Sequence, residues 1–362
     1  MKFAIIAPAL AVSAILLTAA NIQPTQSGDF TVHEWGTFTS VAGESGSAID
    51  WNVLGCKSDL PKFVVDSGRR NTKVALRGNI RMETPVMYFY SSRELDAHVK
   101  VSFPSGDITE WYPRANLMSS NIEWPSIRIE PNTSPAFPIE SDQNRYYAAR
   151  ETDAAPLTVG DQHEKFLFYR GVGQFQVPLS ATISEDGEVT VTNGGKESVP
   201  EMIVFDNHGG HIGYRNAGAL TNSVTLDSPS PDASLPVLRQ ELVSALVAQG
   251  LFPKEARAMV ETWRDSWFEE GSRLIYILPT SAVDEVLPLQ IDPAPSSTTR
   301  VFVGRIELVT PATKNVVKSA VAQRDWSAIA PYSRFLEPIL ERIYNGNPAL
   351  VNQIEQTANA CR

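Results

Sequence analysis

From Asp29 to about Leu226, apolar and polar residues alternate in short runs rich in Val, Tyr, Phe, Trp and Thr, the period and composition of β-strands. Phe30–Trp35, Arg81–Tyr90 and Ala97–Phe103 are the clearest of these runs. Pro104-Ser105-Gly106-Asp107 leads into Ile108–Tyr112, and Glu185-Asp186-Gly187 joins Leu179–Ser184 to Glu188–Thr192. Each junction supplies the glycine that a tight hairpin needs at positive φ. Short strands separated by such turns predict antiparallel sheets packed as a sandwich or an open barrel.

Ser228-Pro229-Ser230-Pro231-Asp232 interrupts this pattern, after which the apolar period changes to 3.6. Leu235, Leu238, Leu242 and Leu246 form one helical stripe that stops at Gly250, a natural position for a left-handed cap. Pro253 starts a second helix with Ala256, Met259, Val260, Trp263 and Trp267 on its apolar face and Gly271 after it. Trp263 and Trp267, four apart on that stripe, read as core and not as a sugar platform. Strands return at Arg273–Leu278 and Arg300–Val309, and Asn347-Pro348 opens a last helix to about Asn359. The class is α+β: predominantly antiparallel β in the N-terminal half, then a helical hairpin, returning strands and C-terminal helices. The predicted organisation is a leader at 1–20, a β-rich domain at 21–228, and an α/β region at 229–362 packed upon it.

The leader reading comes from Lys2, the apolar run Phe3–Leu17 and the small residues Thr18-Ala19-Ala20, the three parts of a cleavable export signal. It predicts a periplasmic or secreted protein with no membrane-spanning segment once cleaved. Removing residues 1–20, which hold Lys2 and no acid, leaves 342 of the 362 residues and takes the formal net charge from −10 to −11. That length is ample for a large core. The negative charge and lack of a basic stripe argue against nucleic-acid partners. Only Cys56 and Cys361 are present, without the spacing of a zinc or redox motif. In an oxidising compartment they are either one long-range disulfide or two separate thiols.

Ionisable residues inside apolar strands are where candidate chemistry lies. In a strand, His33 and Trp35 share one face while Glu34 points the other way with Val32 and Phe38. A desolvated Glu34 would act as an acid and His33 as a base. Glu83, beside Arg81 and Pro85 at the start of an apolar run, would complete a carboxylate pair of the kind glycoside hydrolysis uses if its strand neighboured that of Glu34. Arg81, Arg150, Asp153, Tyr169 and Arg170 are candidate substrate contacts, since a guanidinium group clamps carboxylate or sulfate bidentately. The alternative is a network of structural ion pairs. Asp206, His208 and His211, with His163 further off, form a weak divalent-metal candidate on a Gly-Gly turn. No metal or other cofactor is favoured. No GxSxG elbow, P-loop or dinucleotide fingerprint is present.

Val32–Ser40 (VHEWGTFTS), Arg81–Val86 (RMETPV), Phe166–Gly171 (FLFYRG) and Thr262–Glu270 (TWRDSWFEE) resemble segments of an uncharacterised family of exported bacterial proteins. The resemblance runs from about His33 to about Pro311. It implies export and a shared fold, and assigns no activity, cofactor or residue role.

Two functions fit the sequence. One is an exported binding or assembly protein with structural internal charges, whose partner is an envelope or extracellular polymer or protein. The other is an extracytoplasmic hydrolase or lyase acting on a glycan or other envelope polymer through Glu34 and Glu83. Convergence of the candidate residues on one accessible pocket separates the two.

Overall fold

The computed structural model describes residues 27–55, 58–68, 76–140, 144–345 and 347–358. The leader, Cys56 and Cys361 lie outside them, so the expectations attached to those residues concern parts of the chain not described. The protein is α+β. Its organising element is a nine-stranded sheet with the order His211–Asn216, Met202–His208, Gly271–Ile277, Pro295–Leu308, Ser27–Val41, Ile80–Tyr90, Leu167–Gly173, Gly106–Tyr112, Val65–Asp66. Neighbouring strands are antiparallel except at the centre, where Ser27–Val41 runs parallel to Pro295–Leu308, with Trp35 opposite Val301 and Thr37 opposite Val303. The sheet therefore draws strands from both sides of residue 228.

Both faces of this sheet are covered, which explains why its strands read as nearly continuous apolar runs. A second sheet containing Asn121–Ile129 and Leu95–Ser102, and a three-stranded sheet of Leu179–Ile183, Val189–Asn193 and Ser223–Leu226, cover one face. There Val32, Phe38, Met87 and Phe89 pack with Val99, Trp124 and Val191. On the opposite face the helices Leu235–Ala248 and Pro253–Thr262 cover Trp35, Val86, Tyr88 and Phe205. Helices in the C-terminal part, among them Pro311–Gln323 and Leu336–Ile343, cover Val41, Val172 and Val309 further along the same face. Burying each such large apolar side chain contributes about 1.5–3 kcal/mol, so the layers are held by apolar contact on both sides of the central strands.

Trp263 and Trp267 stack with ring centroids 6.4 Å apart, both fully buried in the helix-facing cluster. The Pro253–Thr262 helix ends before both tryptophans: Trp263 caps it, and Trp267 closes the short helix Arg264–Trp267 that follows. Pro85 lies in a bulge of a central strand. Pairing register shifts between Trp35 and Thr37 on one side of it and between Phe168 and Gly171 on the other. A proline cannot donate to the ladder, and Thr84 before it takes φ +45°. Gly36 faces this bulge. A β-carbon there would stand 2.7 Å from the Phe302 ring and 3.1 Å from the Pro85 Cα, so only glycine lets the strands close.

Candidate functional site: a charged belt across the helix-facing sheet surface

Alternation fixes which side chains face the helices. On Pro295–Leu308 and the residue after it, Val301 and Val303 belong to one apolar cluster and Val309 to the other, with Arg305 and Glu307 between them. On Leu167–Gly173, Arg170 stands between Phe168 and Val172. On Ser27–Val41, Thr37 and Thr39 stand between Trp35 and Val41. Arg81 and Glu83 on Ile80–Tyr90, Glu110 on Gly106–Tyr112 and Arg273 on Gly271–Ile277 extend the row. A belt of buried charge thus crosses the strands, with an apolar cluster on either side.

Within the belt, charges are matched at hydrogen-bond distance. Arg81 Nη2 donates to both Glu110 oxygens, at 3.1 and 3.0 Å, and Arg81 Nη1 donates to Thr109 at 3.0 Å. Arg305 Nη2 reaches Glu269 at 2.5 Å and Glu307 at 2.9 Å. Arg273 donates to Glu307 at 3.1 and 3.3 Å and to the carbonyls of Trp267 and Glu269. Ser266 accepts from Arg305 and Arg334, each at 2.8 Å, and Arg334 also donates to Glu83. Burial pushes the Glu269 carboxyl up, against the pull of Arg305 and Arg273. This pairing is what charges need to remain buried.

Arg170 draws its carboxylate from outside the large sheet's central strands. Its Nη1 lies 3.0 Å from Asp59 Oδ1, and its Nη2 donates to the Tyr146 hydroxyl. Asp59 Oδ2 also receives Arg145 Nη2 and Tyr146 Oη, both at 2.6 Å. Burial tends to raise the Asp59 carboxyl, but Arg170, Arg145 and the Tyr146 hydroxyl outweigh it and hold it well below the usual carboxylate range. Thr84 Oγ1 contacts Arg170 at 3.4 Å.

The other candidate residues lie apart from one another. Glu34 faces the sheet–sheet layer, where it accepts from Tyr169 Oη and Arg300 Nε, each at 2.6 Å. Burial, then the Glu34 charge, lift the Tyr169 phenol well above its ordinary range. His33 faces the helices, with Nδ1 2.8 Å from Glu255 Oε2. Tyr90 donates to the other Glu255 oxygen at 2.7 Å. Arg150 is paired bidentately with buried Glu164, and Asp153 sits in a surface pair with Lys254 at 2.5 Å. Glu34 and Glu83 are therefore on opposite faces of one sheet, and do not form the carboxylate pair that adjacent strands would allow. A groove of about 470 Å³ beside the helices, edged by Arg239, Lys254 and Arg257, is lined by none of these candidates.

His208 Nε2 lies 3.1 Å from Asp206 and its Nδ1 3.6 Å from Glu270. His211, directly opposite His208 in the hairpin, is exposed, and His163 is engaged with Thr158 on another sheet. Among the described residues, no group of three or more His, Cys, Asp or Glu side chains is disposed to hold a metal ion.

Sequence reasoning missed Arg300, Arg305, Glu307, Arg273, Glu255, Asp59 and Arg334. For Arg305 and Glu307 a signal exists: Val301, Val303 and Val309 alternate in phase with them, which places both charges on an otherwise apolar face. Asp59 and Arg334 lie in irregular or short 3₁₀ segments and carry no such period.

No family model matches the chain, and no curated protein matches it. Among solved structures, the chain aligns with the yeast delta-COP-I mu-homology domain complexed with a Dsl1 WxWxV peptide, at 9% sequence identity and a TM-score of 0.30, covering 77% of this chain and 96% of that one. Among the described residues, no helix is long and apolar enough to cross a membrane.

Proposed function

We propose that this is an exported protein that acts by binding or assembly and not by catalysis, with an envelope or extracellular polymer or protein as its partner. The observation that carries the reading is the opposed placement of Glu34 and Glu83, each held by an arginine inside the protein. Hydrolysis through two carboxylates needs both on one glycosidic bond, about 5 to 9.5 Å apart, with space for the sugar between them. Here a sheet separates them. Export rests on the sequence of residues 1–20, with its basic start, apolar run and small residues.

The test is turnover of a panel of envelope and extracellular polysaccharides by the purified wild-type protein. No cleavage above a buffer control is expected. Cleavage by wild type that disappears in Glu83→Gln, with the variant still folded, would overturn the reading.

A further inference from the structure

Residues 58–66 cross the helix-facing surface at the edge of the large sheet and make three kinds of contact. At one end, Asp59 is clamped by Arg170, Arg145 and Tyr146. In the middle, Leu60, Phe63 and Val64 pack against the apolar cluster, with the Phe63 ring 4.9 Å from that of Tyr112. Pro61 helps line the same aromatic crevice, whose walls include Tyr146, Phe166 and Phe168 and whose residual space is about 30 Å³. At the other end, Val65 and Asp66 pair with Trp111 and Glu110, adding a two-residue edge to the seven-residue strand Gly106–Tyr112.

The segment thus joins the sheet by a two-residue backbone ladder, an apolar anchor on the Pro61–Val64 turn, and a charge clamp. The source of Arg170's counter-charge is the distinguishing feature. Arg81, Arg273 and Arg305 find carboxylates on strands of the same sheet, in Glu110 and Glu307. Buried Arg170 takes its carboxylate from the crossing segment. Displacing residues 58–66 leaves Arg170 only the charge of Glu110, opposite it in the ladder and already held by Arg81, so a ligand that brings an acid of its own is favoured, because a poorly paired buried guanidinium is costly. Planar guanidinium groups at Arg170 and Arg145 suit a carboxylate.

We propose that residues 58–66 are the built-in occupant of a peptide-docking groove. Its outside ligand is a partner-protein segment in which an acidic residue is followed by apolar residues one, four and five positions later, the pattern of Asp59, Leu60, Phe63 and Val64. The inference rests on the binding-protein reading and names the partner's chemistry. The resident segment competes from within the chain at an effective concentration on the order of millimolar. Weakening its apolar hold exposes the groove while leaving the arginines intact.

The probe is a fluorescent peptide of residues 58–66, followed by anisotropy on the full chain. Phe63→Ala, and separately Leu60→Ala, should bind it saturably and at least about tenfold more tightly than wild type. A peptide with Asp59→Asn should bind those variants at least about tenfold more weakly than the parent peptide, through loss of a charge-assisted contact. Circular dichroism and melting confirm that each variant is folded. Absence of saturable binding to both folded variants, equal affinity for wild type, or equal affinity for the Asn peptide would overturn the proposal. Polysaccharide turnover by wild type would instead sink the binding-protein reading without changing these anisotropy values.

Discussion

Glu34 and Glu83 stand on neighbouring strands of one sheet and point away from each other, Glu34 to Arg300 in the sheet–sheet layer and Glu83 to Arg334 beneath the helices. Adjacent strands would have allowed a shared site; their register and alternation forbid it. Both carboxylates belong to charge pairs that the fold must keep intact.

Glu34→Gln is expected to destabilise the protein by about 3–5 kcal/mol, the cost of stranding a buried charge. Arg300 would keep Asp284 and the Leu287 carbonyl, which places the effect toward the lower end. Denaturant unfolding of Glu34→Gln, Arg300→Met and the double variant checks this. The double variant should be less destabilised than the two single effects added together; strict additivity would contradict the pairing.

His208 and Asp206 predict a pH-dependent link between the Met202–Asn216 hairpin and the strand beginning at Gly271. The Asp206 hydrogen bond is the largest cause lifting His208 above its ordinary 6.5, with Glu270 adding to it. Burial raises Asp206, but hydrogen bonds from His208 and Ser272 outweigh it and hold the carboxyl below its usual range. The His208 contribution is complete below pH 6.5 and fades as pH rises through the lifted value. That of Asp206 is present above its ordinary 3.8 and fades as pH falls. Urea midpoints measured from pH 6 to 9 should decline less in His208→Gln than in wild type; identical slopes would remove His208 from the account.

How much of this was legible in the sequence depends on locality. The Leu238, Leu242 and Leu246 stripe follows from helical period, and Trp263 and Trp267 are buried as the stripe predicts although the helix breaks at Trp263. Alternation likewise gave the direction of Glu34. It was silent on the second covered layer, which is why His33 and Glu34 are both buried although they point oppositely. A proline within a strand run fits an edge, a bulge or a strand start equally, and only the register shifts on both sides of Pro85 select the bulge. The parallel pairing of Ser27–Val41 with Pro295–Leu308 joins segments far apart in the chain, and no local pattern encodes such a register. Asp59 and Arg334, which complete the belt, come from segments without a period.

Glu355 also costs stability as pH rises, through burial and carboxylate repulsion and not through a lost ion pair. Burial, then Glu337 and Glu341 nearby, push its carboxyl up to about 7 from 4.5. The folded state therefore holds a proton that the unfolded state releases, and stability falls as pH rises from 4.5 through 7. Glu355→Gln should stabilise the protein at pH 8 by on the order of 1 kcal/mol, allowing for a partly solvated site. It should change little at pH 4.5. Chemical denaturation at the two pH values checks this, and an equal effect at both would contradict it.

The melting temperature of Glu83→Gln bears most directly on the central claim that the belt's charges hold the fold and do not perform catalysis. A buried ion-pair partner should cost about 3–5 kcal/mol when neutralised, which lowers the midpoint by about 4–7 °C in a chain of this size. A carboxylate kept for catalysis at the expense of stability would give an unchanged or raised midpoint, and that result would contradict the account.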